Sequence, residues 1–279
     1  MKKSILFLSI ACMVGVGLMG GQAQAATKYS IVKEHWSTET TYLRAVKPKK
    51  SVAIWNKKHT KKYYNLNKVP NRTWKSTATL TLKHNGKNTK YVYITGQKAD
   101  GKASVSGYVW HGYLEQGVGL DMIKGQFAPL MMFTSNKDYL QYIQKSPAQE
   151  ITREIVALFP NSKVTLNLTR VSIAKGSYYQ NDWGYKPGVT GASQLANNYT
   201  AIKTFPKITK YLDQSYTKST ATRIAKVKSL LAANGYDAAK RKSLKNYEIG
   251  INIFDHTNGN AKYNNGRGYA FVIAQPKGE

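Results

Sequence analysis

The 279-residue sequence predicts a mostly β N-terminal unit, a small β-barrel within residues 26–117, followed by an α+β unit over residues 118–279. Three observations carry this. Runs rich in Thr, Val, Tyr and Ile flank turn signals before residue 117, whereas helical patterning begins only after it. Between them, "EQGVGLDMIKGQFAPLM" (115–131) breaks the pattern with three glycines and a proline.

The first 25 residues read as a leader, not as part of the fold. Lys2 and Lys3 precede the uncharged stretch "SILFLSIACMVGVGLMGG", and "AQA" at 23–25 is a small-x-small site, so cleavage is expected between Ala25 and Ala26. Cys12 follows Ala11, which leaves a lipoprotein leader as the alternative. Cleavage removes this single cysteine, so the mature chain has neither a disulfide nor a thiol nucleophile. Export without cysteine suits a Gram-positive extracellular protein. The segment after the leader contains no apolar run long enough to span a membrane as a helix.

Without Lys2 and Lys3, 40 basic residues face 14 acidic ones, a net charge of +26. For an exported chain this points to teichoic acid or another anionic wall polymer, acidic polysaccharide or anionic lipid, and away from nucleic acid. The plainer reading is a lysine-rich surface that keeps the chain soluble.

In the N-terminal unit, "STATLTLKHNGKNTKYVYIT" reads as a hairpin about Asn85-Gly86, because a type I′ turn needs positive φ at both central positions. A two-residue loop pairs His84 with Lys87, Leu82 with Thr89, Leu80 with Tyr91 and Ala78 with Tyr93, all on one face. "KADGKASVSG" supplies the next turn, and Tyr108–Leu114 a last strand with a closing turn. In such a barrel Val109 points inward and Tyr108 and Trp110 share the other face. Trp110 is then either a wall-contact residue or a packing residue against the second unit.

Residues 64–114 resemble the SH3-like and GW-type cell-wall-binding modules of Gram-positive secreted proteins. The resemblance rests on Pro70 to Trp74, on the Asn85-Gly86 hairpin, and on Gly107, Tyr108, Val109, Tyr113 and Leu114. The family's Gly-Trp dipeptide is Gly107-Tyr108 here, and there is one module. The resemblance implies an SH3-like barrel that holds wall polymer non-covalently. Residues 27–117 contain 16 Lys and 2 Arg against Glu34, Glu39, Asp100 and Glu115, a net +14. Lys47, Lys49, Lys50, Lys57, Lys58, Lys61 and Lys62 form two clusters that, with Tyr108 and Trp110, make the expected polymer-binding surface.

The second unit is more dilute in charge, +12 over 162 residues. "SPAQEITREIVALF" (146–159) predicts a helix with Ser146 as N-cap, Pro147 at the first position, Gln149 reaching back, and Ile151, Ile155 and Leu158 on one face. "KVTLNLTRVSI" (163–173) alternates and predicts a strand. "GSYYQNDWGYKPGVTG" (176–191) gathers Tyr178, Tyr179, Asp182, Trp183 and Tyr185 in a loop, either a ligand loop or a cap on the core. "STATRIAKVKSLLAANG" (219–235) predicts a helix with Ile224, Val227 and Leu231 inward and Gly235 as its stop. "YEIGINIFD" and "GYAFVIAQ" predict a terminal hairpin.

Chemistry is sparse. His35, His59, His84, His111 and His256 are scattered without metal-ligand spacing, so neither metal nor cofactor is expected. Ser-x-x-Lys occurs at 30–33, 172–175 and 215–218 without the Lys-Thr-Gly that accompanies it in acyl-transfer enzymes. The expected role is therefore a secreted, wall-associated binding protein. The alternatives are a wall-modifying hydrolase with carboxylates in residues 118–279, or a host-surface adhesin.

Overall fold

The structure is a computed structural model describing residues 29–46, 51–97, 103–125, 127–175, 177–180, 192–256 and 266–278. The leader, with its cleavage pair Ala25 and Ala26, lies outside them.

Seven strands form the first sheet: β1 (Ser30–Ala45), β2 (Ala53–Trp55), β3 (Lys62–Asn65), β4 (Thr73–His84), β5 (Lys87–Gln97), β6 (Ala103–Trp110) and β7 (Leu114–Gln116). Their order is β3-β2-β6-β5-β4-β1-β7, every pairing is antiparallel, and the sheet curls into a half-barrel. The β4–β5 hairpin has the register that its two-residue turn dictates: His84 opposite Lys87, Leu82 opposite Thr89, Leu80 opposite Tyr91, Ala78 opposite Tyr93. Asn85 (φ 49°) and Gly86 (φ 77°) supply the positive angles.

One irregularity decides how this sheet is packed. Along β4 the even positions from Trp74 to Leu82 are all buried, yet the pairing with β5 slips between Ser76 and Ala78. The extra residue hands the apolar row of β4 from one side of β5 to the other. Trp74 thus joins Val92, Ile94, Val109, Ile54 and Leu66 in one core, whereas Leu80 and Leu82 join Tyr91 and Tyr108 in another. Adjacent residues of a strand point to opposite faces, so Tyr108 and Val109 feed different cores. Gly107 lets β2 cross closely, since an added Cβ would lie 2.6 Å from Ile54 Cγ2 and 2.7 Å from the Trp55 carbonyl oxygen.

The second unit contains α1 (Leu120–Ile123), α2 (Asn136–Lys145), α3 (Glu150–Ala157), β8 (Lys163–Val164), α4 (Leu166–Lys175), β9 (Ser177–Gln180), α5 (Ala192–Ala196), β10 (Tyr199–Thr204), α6 (Pro206–Gln214), α7 (Thr220–Ala233), α8 (Ala238–Ser243), β11 (Glu248–Phe254) and β12 (Arg267–Pro276). Its sheet runs β10-β12-β11-β8, with β9 also on β12 and only β8 parallel to its neighbour. Ile249, Ile251, Ile253, Tyr269, Phe271 and Ile273 pack with residues of α2, α3, α6 and α7. Val272 and Ala274 pack with α4 and α5. Covered on both faces, β11 and β12 are near-continuous apolar runs.

Two expectations fail here for physical reasons. Only Lys163 and Val164 of "KVTLNLTRVSI" are strand; Thr165 joins them to α4, which holds the rest. Thr165 ends the strand by donating its N–H to Ile249 O (3.1 Å), and Thr169 Oγ1 bonds back to Thr165 O (2.8 Å) one turn on. Burial of Leu166, Leu168, Thr169, Val171, Ser172 and Ile173 leaves only a narrow outer face, Asn167, Arg170 and Ala174, too weak a stripe to betray a helix. α4 lies against Gly250, where an added Cβ would meet Leu168 O at 2.3 Å. Gln149, in turn, does not reach back to a helix start. Its Nε2 donates inward to Ile253 O (2.9 Å) and its Oε1 accepts from Thr152 (2.8 Å), while Ser146 Oγ caps the Ala148 N–H (3.2 Å).

α7 follows its sequence signals. Ser219 caps the Thr222 N–H, Ile224, Val227 and Leu231 are buried, and Gly235 (φ 81°) closes the C-terminus. Gly235 N–H bonds Ala232 O (2.9 Å) and Tyr236 N–H bonds Leu231 O (2.9 Å), the paired bonds of a Schellman ending.

Arg44 of β1 reaches both Glu115 (2.7 Å) and Asp138 of α2 (2.7 Å), whose carboxylate is 2% exposed. Asp121 accepts from the Thr73 N–H and hydroxyl (3.0 and 2.9 Å). Gly119 fits under the Asn71–Arg72 backbone, where an added Cβ would lie 2.3 Å from Asn71 O.

Candidate functional site

The lysine-rich "NKKHTKK" is the turn between β2 and β3. Asn56 organises it. Its Oδ1 accepts from the Thr60 and Lys61 N–H groups (2.8 and 3.1 Å), its Nδ2 donates to Thr60 Oγ1 (2.9 Å), and its own N–H bonds Lys61 O (2.9 Å). Within that frame His59 adopts φ 58°, a left-handed conformation uncommon outside glycine and asparagine. This conformation turns its imidazole inward, where it stacks on Trp55 (4.6 Å) and meets Tyr29 (4.3 Å) and Tyr91 (4.6 Å). Lys57, Lys58, Lys61 and Lys62 are left exposed around it.

These four lysines are not equivalent. Lys57 Nζ bonds Glu34 of β1 at 2.5 Å. The Lys57 ammonium beside Glu34 holds its carboxyl below the usual range, with a further donor in Tyr108. Lys57 is thus committed to an ion pair within the chain, and Lys58, Lys61 and Lys62 are the unpaired outward cations among the described side chains of the turn. Trp36, two residues along β1, is 60% exposed, with its ring centroid 6.1 Å from that of Tyr93.

Tyr108 and Trp110, expected together on one contact surface, are separated by burial. Tyr108 is 5% exposed within the second core, its hydroxyl directed at Glu34 (3.4 Å), and burial pushes its phenol up to about 12. It is a packing residue and not a contact one. Trp110 is 38% exposed. Its ring lies over Gly112, where an added Cβ would come within 2.4 Å, and edge-on to Tyr113 (4.9 Å). That explains "WHGY": the glycine is the floor on which the tryptophan lies.

Lys47, Lys49, Lys50, Asp182, Trp183 and Tyr185 lie outside the described residues. Tyr178 and Tyr179 are described in their backbone, which pairs with Tyr269 and Gly268 of β12. Glu34, Trp36, His59 and Tyr93 were missed by sequence reasoning. The alternation of "KEHW", placing Glu34 and Trp36 on one face, was the available signal.

In the second unit Asp213, Glu248 and Asp255 are held by cations or hydroxyls. Arg223 grips Asp255 bidentately (2.7 and 2.9 Å), and Tyr269 donates to the same carboxylate (2.5 Å). Burial and that carboxylate push the Tyr269 phenol far above its ordinary value, so it stays protonated. Arg267 bonds Asp213 (3.0 Å) and stacks on Tyr216 (4.1 Å). Tyr199 and Thr165 donate to Glu248. The serines of two Ser-x-x-Lys tetrads are likewise spoken for: Ser172 donates to Thr169 O (2.7 Å) and Ser215 to Tyr211 O (2.7 Å). Among the described residues no group of three or more His, Cys, Asp or Glu side chains is arranged to hold a metal ion, and no helix is long and apolar enough to cross a membrane. Compared with models of protein families, with curated proteins and with solved structures, the chain matches none.

Proposed function

We propose that this chain is a secreted, wall-associated protein that holds an anionic wall polymer, teichoic acid being the first candidate, non-covalently through a basic SH3-like module in residues 26–117. Residues 1–25 act as a cleaved leader in this reading. The carrying observation is the β2–β3 turn: Asn56 and the inward His59 fix a loop whose Lys58, Lys61 and Lys62 face solvent. A repeating phosphate chain offers equivalent partners to such a loop at every repeat, so binding is loose, multivalent and salt-sensitive.

The test uses the mature chain on purified Gram-positive walls. Each cation near a strongly anionic surface contributes about 1 kcal/mol, so a Lys58→Gln, Lys61→Gln, Lys62→Gln variant should lose about 3 kcal/mol at low ionic strength, roughly 100-fold in affinity. Walls stripped of teichoic acid should retain much less of the wild-type chain. Adsorption indifferent to salt, to teichoic acid and to the triple variant sinks the reading.

A further inference from the structure

The face of β1 beside the lysine turn has a second character, neutral and aromatic. Trp36 is the most exposed tryptophan described, at 60%. Glu34, two residues before it on the same strand face, is held by Lys57 (2.5 Å) and approached by the Tyr108 hydroxyl (3.4 Å). The indole itself stays largely open to solvent. Tyr93 stands beside it, ring centroids 6.1 Å apart at 49°. Pairing of β1 with β4 slips immediately after Trp36, between Trp36/Ala78 and Thr41/Ser76, so the ring stands at a break in the ladder.

We propose that Trp36, with Tyr93, Glu34 and Lys57, is a subsite for the pyranose ring of a neutral sugar. The apolar face of a pyranose lies flat on an indole, and its hydroxyls need both acceptors and donors at the ring edge, which a carboxylate and an ammonium supply. Glu34 and Lys57 neutralise each other, so the platform attracts a phosphate less than the neighbouring lysines do. Joined to Lys58, Lys61 and Lys62, the subsite fits a phosphate polymer carrying sugar substituents. This deepens the polymer-binding reading and rests on it for the source of the sugar, but free sugar is measured without any wall.

The mature chain is titrated with glucose, galactose, N-acetylglucosamine and N-acetylgalactosamine, followed by intrinsic tryptophan fluorescence. Wild type should respond saturably to at least one of the four. Trp36→Ala should weaken that response at least tenfold, and Trp36→Phe should retain part of it. The Lys58, Lys61, Lys62 triple variant should respond as wild type does. If none of the four sugars alters the wild type, or Trp36→Ala responds equally, the subsite is refuted even where wall binding stands. A concentration-dependent dimer in sedimentation that Trp36→Ala abolishes, with no sugar response, assigns the ring to self-association and overturns the proposal.

Discussion

Acid should loosen the N-terminal unit through one histidine. His59 is enclosed by Tyr29, Trp55 and Tyr91, its Nε2 is buried with no hydrogen-bond partner among the described residues, and burial, aided by His84, lowers its pKa from 6.5 to about 4. A depressed histidine pKa means that the unfolded chain takes up the proton first. The stabilisation is complete above pH 6.5 and is lost as pH falls toward 4. The full difference corresponds to about 3 kcal/mol, and screening at this half-buried ring reduces it to about 1.5. The comparison is wild type against His59→Asn, because asparagine tolerates the left-handed conformation that this position requires (φ 58°) and does not titrate. Denaturant unfolding, followed by a probe in the N-terminal unit, is run at pH 7 and pH 4.5. Wild type should lose about 1 kcal/mol more than His59→Asn between the two. Glu34, whose carboxyl Lys57 holds below its ordinary value, is present in both proteins, so its contribution cancels in the comparison. Equal pH dependence in the two proteins refutes the argument, whatever their absolute stabilities.

Arg44→Ala strands the Asp138 carboxylate, 2% exposed, and should cost about 3–5 kcal/mol in chemical denaturation, while Arg44→Ala with Asp138→Asn should recover part of it. Gly235→Ala should cost only about 1 kcal/mol, because the space beside it is open and the penalty is conformational alone. Gly119→Ala should cost more than Gly235→Ala, since its Cβ would strike the Asn71 carbonyl oxygen, and paired thermal melts rank the two.

Local rules explain the elements that were legible from sequence. Asn85-Gly86 sets a hairpin register because two consecutive positive φ angles permit one turn geometry, and the side-chain alternation then follows. Ser219 and Gly235 bound α7 because capping satisfies backbone groups within a few residues of the chain. Another helix of the same unit, α4, was illegible because the sheet and its neighbours bury it on most sides, and its narrow outer face of Asn167, Arg170 and Ala174 carries too little contrast to show a 3.6-residue period.

The site divides in the same way. Composition and the "KKHTKK" run were enough to single out a basic loop, since charge is counted without coordinates. Which lysines face outward was not, because Lys57 meets Glu34 across 23 residues of chain. Tyr108 and Trp110 share a strand face by alternation, yet one is buried and the other is half open. That difference depends on the extra residue in β4 and on β2 crossing Gly107, events of packing between strands distant in sequence. Sequence by itself determined turns, caps and charge, which depend on neighbours along the chain. The tertiary structure alone decided which side chains lose their water and which partners they meet, because burial and pairing belong to the packed sheet and to no single strand.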